Sequence, residues 1–149
     1  IKRAITIDMT SIRFCNEEEI DYLEKSLLLG PLLQNKRKEV NDHNQDIDCT
    51  ENINGRRLSN IGIFRLYCNA YLQAHPLLHN DFTLMARQLA PTDKGLPIEV
   101  YGFSSDTDWV NYEGIQADIM DHLLAILPEF GLRIYQSPSG WDMQHAFKS

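Results

Sequence analysis

The period of the apolar residues changes several times along this chain, and the order of those changes restricts the fold more than any single residue does. Residues 4–9 alternate, with Ile5, Ile7 and Met9 on one face and Ala4, Thr6 and Asp8 on the other, which predicts a strand. Asn16 then offers a helix N-cap. Glu17, Glu18 and Glu19 fill the first turn, where carboxylates suit the positive end of the helix dipole, and Glu19 can close a capping-box-like pair with Asn16. Ile20, Leu23 and Leu27 mark the buried stripe of that helix, and Gly30-Pro31 interrupts or restarts it. Leu32, Leu33, Lys36 and Val40 predict a second helical piece over 31–44. Residues 45–57, QDIDCTENINGRR, are Asn/Asp-rich and read as a loop.

The second half returns to a strong pattern. Ser59 or Asn60 can cap a helix whose core face is Ile61, Phe64, Cys68 and Tyr71. His75-Pro76 ends it, because the residue before a proline is pushed out of the helical region. Two strand-like runs follow, 82–89 and 97–103, joined by the Pro- and Gly-bearing connection 90–95 that a hairpin needs. A last helix is predicted from about Asp106 to Leu127 on the stripe Tyr112, Ile115, Ile119, Leu123 and Ile126, with Pro128 and Gly131 bracketing its end. Leu132 to Gln136 reads as a final short strand, closed by Pro138-Ser139-Gly140. The tail after residue 140 shows no period. The fold class is therefore α+β, with the ferredoxin-like split βαβ order β-α-β-β-α-β and an enlarged helical first crossover. Helices would cover one face of an antiparallel sheet, and the other face must meet solvent or another subunit.

Length and charge remove several function classes. A chain of 149 residues fits one domain, large enough to bury about 70% of its unfolded surface. No apolar run approaches the roughly 18 residues of a membrane span. The 14 Lys and Arg against 21 Asp and Glu leave a net charge of −7, which repels phosphate backbones and argues against nucleic acid. The basic cluster Lys36-Arg37-Lys38 is followed at once by Glu39, Asp42, Asp46 and Asp48, as on a solvated helix face. Cys15, Cys49 and Cys68 are odd in number and lack a CxxC spacing, so neither a disulfide framework nor a zinc site is expected. Reduced thiols fit, with Cys68 as a small hydrophobe on an apolar stripe.

The chemistry-bearing clusters each have a plain alternative. Asp42 to Asp48 places oxygen donors at calcium-loop positions one, three, five and seven, but Ile47 stands where a glycine is needed and Ile53 where a bidentate Glu is needed. His75 and His79 are separated by Pro76 from any shared helical face and have no nearby Glu or Cys as a third ligand. Asp118, Asp121 and His122 lie within one turn of the last helix, where a solvated or subunit-facing edge explains the acids and packing explains the histidine. Trp109, Tyr112, Phe64, Tyr67 and Tyr71 could stack single-stranded bases, yet their helical spacing and the acidic charge favour core or interface. No G-x-S-x-G, P-loop or G-x-G-x-x-G is present. Some ferredoxin-like enzymes, the acylphosphatases, carry a Gly/Arg-rich phosphate loop after the first strand. Here residues 9–16 hold one Arg13 and no glycine. No catalytic residue, cofactor or metal is expected.

Three segments resemble a known family: RRLSNIGIFRLYCNAYLQAHP, DFTLMARQLAPTDKGLPIEVYGF and WVNYEGIQADIMDHLLAILPEFGLRIYQSPSG, preceded by IKRAITIDMTSIRFC. Their joint order is similar to the cytoplasmic C-terminal region of the small-conductance mechanosensitive channel family, in its miniconductance-like, larger-vestibule branch. The resemblance implies residues 1–12 as a strand leaving a preceding β domain, 13–139 as an α/β vestibule domain with the polar loop 45–57, and 140–149 as a C-terminal tail. It further implies a bacterial inner membrane protein with this part on the cytoplasmic side. Partners would be copies of the chain itself, typically in a heptamer. Ions and small solutes would pass through on osmotic downshock, no nucleic acid would be bound, and membrane contact would run only through a missing N-terminal part. The opening Ile1-Lys2-Arg3, which enters a strand pattern without Met or polar lead-in, predicts an excised fragment. The reading from another class is a soluble ferredoxin-like regulatory domain that senses a ligand at a subunit interface.

Overall fold

In the computed structural model, which describes residues 1–78, 84–102, 108–137 and 144–146, the helices that begin at residues 17, 60 and 109 each start at a side-chain cap. Strand β1 spans Lys2–Ile7. Asp8 ends it by accepting from the Thr10 amide and hydroxyl, which turns the chain through a 3₁₀ turn at Met9–Ser11. Met9 is therefore 44% exposed, not on the buried strand face that the alternation assigned to it. Helix α1, Glu17–Leu23, carries the full capping box between Asn16 and Glu19. It stops a turn early. The Ser26 hydroxyl accepts from the Leu29 amide and the Ser26 carbonyl from Gly30, so residues 24–29 form turns that bury Leu29. Leu27, expected on the stripe, is 96% exposed.

Helix α2, Gly30–His43, starts with Pro31 in its first turn, where a missing amide costs nothing. Leu33 and Val40 are buried, while Leu32 and Lys36 of the predicted stripe face outward. Arg37 locks α2 onto α1 through ion pairs with Glu17, Asp21 and Glu24. Helix α3, Asn60–Ala74, is capped by Ser59, whose hydroxyl accepts from Gly62. It ends at His75 in extended conformation, as the following proline requires. Strands β2, Met85–Gln88, and β3, Leu96–Tyr101, form the expected hairpin, closed by a Thr92–Gly95 bridge. Helix α4 spans Trp109–Ile126 and is capped by Asp108. A 3₁₀ turn at Leu127–Phe130 follows and ends in left-handed Gly131, φ 67°. The predicted Phe82, Thr83, Phe103, Asp106 and Pro138–Gly140 lie outside the described residues.

The sheet order is β1-β3-β2, antiparallel throughout, with Ile5 opposite Ile98 and Ala86 opposite Val100. The predicted fourth strand is reduced to one antiparallel bridge, Ile7 with Ile134, beside the free edge of β1. Two backbone hydrogen bonds hold it, Asp8 N–H to the Arg133 carbonyl and Tyr135 N–H to the Thr6 carbonyl, each 2.8 Å. Arg133 explains the break in register: its amide donates to the Ser11 hydroxyl at 3.1 Å, and its guanidinium reaches Asp8 and Thr10. Those bonds hold the entry of this segment to the 3₁₀ turn instead of to β1.

The architecture is α+β. Ile5, Ile7, Leu96, Ile98, Val100 and Ala86 point to one side of the sheet and meet the core residues of α3 and α4, Phe64, Cys68, Leu72, Ile119 and Leu123. Asn69 aligns α3 with β2: its side-chain oxygen accepts from the Ala86 amide at 2.9 Å and its nitrogen donates to the Ala86 carbonyl at 3.3 Å. Tyr112 and Ile126 are half-buried at the ends of the α4 stripe, and Met120 and Leu127 join the core instead. The other sheet face shows Lys2, Ala4, Met85 and Arg87 at the surface. Across it, Arg87 pairs with the nearly buried Glu99 on β3 at 2.8 Å.

Candidate functional site

The described residues singled out as chemistry-bearing fall into two main places, and the fold assembles a third. In the acidic stretch 42–48, Asn44 is committed to the chain itself: its amide nitrogen donates to the Arg56 carbonyl at 2.7 Å and its oxygen accepts from the Arg56 amide at 2.8 Å. Asp48 accepts from the amide and hydroxyl of Thr50, which holds its carboxyl below the usual range. These side chains therefore brace the 44–57 loop. Among the described residues, no group of three His, Cys, Asp or Glu is placed to hold a metal ion.

The second place is an aromatic stack between α3 and α4. The His122 ring lies 4.3 Å from Tyr71, at an interplanar angle of 4°. Its Nε2 shares a 2.5 Å hydrogen bond with the Tyr67 hydroxyl. Tyr67 in turn packs on Phe130, and Phe130 on Phe64. His75 meets Tyr71 edge-on, and burial holds its imidazole below the ordinary value despite the nearby Asp118 charge. Burial also pushes the Tyr67 and Tyr71 phenols up. Phe64 and Tyr67 are thus core residues and Tyr71 half-buried, while Asp118 and Asp121 stay at the surface. His79 lies outside the described residues, as does the side chain of Trp109. Offset and edge-on ring pairs of this kind add roughly 0.5–1.5 kcal/mol each beyond burial, so the stack reads as a joint between two helices.

The third place was not legible as a motif. A cleft of about 370 Å³ opens between α2, the start of α3 and the 56–58 segment. Leu33, Leu58, Ile63 and Leu66 line it, and Lys36, Arg56, Arg57 and Arg65 stand around it. Three of those cations come from the RR pair and the following helix, separated in sequence from Lys36 by the loop. Only the fold brings them together, which is why a scan for basic runs finds Lys36-Arg37-Lys38 and misses the cleft.

The cysteines are free. Burial pushes the Cys68 thiol up to about 12 and the Cys15 thiol up to about 11. Neither is a ready nucleophile. Among the described residues, no helix is long and apolar enough to cross a membrane. No family model matches the sequence, and no solved structure matches the fold.

Proposed function

We propose that this chain forms one wall segment of the cytoplasmic vestibule of a tension-gated, homo-oligomeric channel. Such a channel sits in the bacterial inner membrane and releases ions and small solutes on osmotic downshock. The observation that carries the reading is the order of the sheet. With β3 between β1 and β2, and residue 134 antiparallel on the far edge of β1, the strand order supports a split βαβ pattern. The ferredoxin-like arrangement is the one that the order of elements in the sequence predicts. The one-sided sheet agrees, since helices cover one face and leave the other for solvent or for a neighbouring copy of the chain. The wall would be held in a heptameric ring, and among the described residues no helix is long and apolar enough to serve as a pore helix.

The test is to express the complete gene in bacteria stripped of tension-gated channels. Survival of osmotic downshock, with tension-activated currents in membrane patches, is the expected result. Coding sequence upstream of Ile1 without apolar stretches of about 20 residues would refute it. A soluble ligand-sensing regulatory domain is the second reading, and the cationic cleft is the observation in its favour. Saturable binding of a metabolite by a protein lacking such stretches would establish it.

A further inference from the structure

The cleft beside α3 holds more positive charge than its surroundings explain. In a chain of net charge −7, four cations border one concavity, and no carboxylate is among its lining residues. The ion pairs of the described residues engage Lys36, which meets Glu39 at 3.3 Å, and leave Arg56, Arg57 and Arg65 out. These three guanidinium groups are held by neutral partners or by none. Arg57 donates to the carbonyls of Cys49, Glu51 and Asn52. Arg65 donates to the Gln88 side-chain oxygen at 3.1 Å. Arg56 has its backbone fixed on both sides by Asn44 while its side chain is exposed.

Neutral anchoring fixes the position of a cation without cancelling its charge. The apolar floor of Leu33, Ile63 and Leu66 lowers the local dielectric, which strengthens the field inside the concavity. The start of α3 adds the positive end of its dipole on the same side. Planar forks of N–H donors match phosphate oxygens two at a time, better than they match chloride.

We infer that this cleft binds a small phosphate-bearing anion, held by Arg56, Arg57 and Arg65. The volume, about 370 Å³, accommodates a diphosphate with some of its water. The site stands independently of the channel reading, since it lies within one copy of the chain.

Titration of the full chain with sodium pyrophosphate by calorimetry at low ionic strength tests it. Saturable one-to-one binding is expected. Arg56→Gln and Arg65→Gln should each weaken it about tenfold or more, the ordinary effect of losing a charge-assisted hydrogen bond. Arg65→Lys should restore part of the loss, and Arg133→Gln, on the far side of β1, should leave affinity unchanged. Because the Arg56 side chain is exposed, its substitution leaves the fold intact, as thermal melting will show. Absence of saturable heat, or equal weakening by Arg133→Gln, would overturn the assignment. Co-sedimentation with phosphatidic acid vesicles without binding of soluble pyrophosphate would place the phosphate on a lipid, and would overturn the small-anion assignment as well.

Discussion

Asn60 is fully buried, and removing its side chain tests how the first crossover is pinned to the sheet layer. The side-chain oxygen accepts from the Arg13 amide at 3.0 Å, and the nitrogen donates to the Ser11 carbonyl at 2.9 Å. The Asn60 amide completes the pin by donating to the Arg13 carbonyl at 2.9 Å. Asn60→Ala keeps that last bond and orphans the other two groups. The Ser11 carbonyl is in buried surroundings, so its loss costs about 1–3 kcal/mol; the Arg13 amide is partly exposed and costs about 1 kcal/mol. The sum is about 2–4 kcal/mol. For a domain of this size, a loss near 3 kcal/mol lowers Tm by about 6–12 °C. Urea unfolding followed by circular dichroism gives the value directly. Asn60→Asp sharpens the test. It keeps the acceptor for Arg13 but turns a carboxylate toward the Ser11 carbonyl, and protonation restores the donor. Its penalty should therefore shrink as pH falls toward the ordinary carboxylate range from above and level off below that range, opposite to the usual acid destabilisation. A loss below about 0.5 kcal/mol for Asn60→Ala, or a penalty for Asn60→Asp that does not change with pH, would refute the pin.

Gly95 sits at φ 120°, and an added Cβ would lie 2.4 Å from the Ile7 carbonyl oxygen. Gly95→Ala should cost at least about 2 kcal/mol in urea unfolding, since both backbone strain and a backbone clash oppose it. Cys68 should resist iodoacetamide in the native protein at pH 8 and react only on unfolding, read by mass spectrometry. With the Cys15 and Cys68 thiols raised from 9.0 to about 11 and about 12, the unfolded chain loses these protons first, so stability should fall as pH rises through that interval. Thr10 and Arg133 lower Asp8, and Arg13 lowers Glu19, so the unfolded state takes up protons first on acidification. Stability from these groups should be present at neutral pH and decline below about 4.5, the ordinary Glu value.

The helices were legible where a cap and a stripe agreed. Asn16 with Glu19, Ser59 before Ile61, and Pro128 with Gly131 each marked a boundary that the chain uses. The failures have a common cause, in that a local bond outweighed a periodic pattern. Ser26 turned the chain before Leu27 could reach the core, and Asp8 ended β1 before Met9. Arg133 took bonds from the 3₁₀ turn that a fourth strand would have given to β1. The cationic cleft was invisible for a different reason: the packing of α2 on α3 brings Lys36 to the three arginines, which no sequence spacing encodes.

The contact between Ile7 and Ile134 also decides how the chain would answer a mechanical load. Thr6 faces Tyr135, so a pull between Ile1 and Ser137 loads the Tyr135 N–H to Thr6 carbonyl bond first, and alone. Such bonds open one at a time, as a zip does, at far lower force than strands sheared along their length. Opening would then meet the Arg133 anchor on Asp8, Thr10 and Ser11, while β1 stays fastened to β3 as far as the mutual hydrogen bonds of Ile1 and Gly102. The segment after Leu132 is thus the compliant part and β1 the stiff part. A short first extension in single-molecule pulling, well before global unfolding, is the signature of that arrangement.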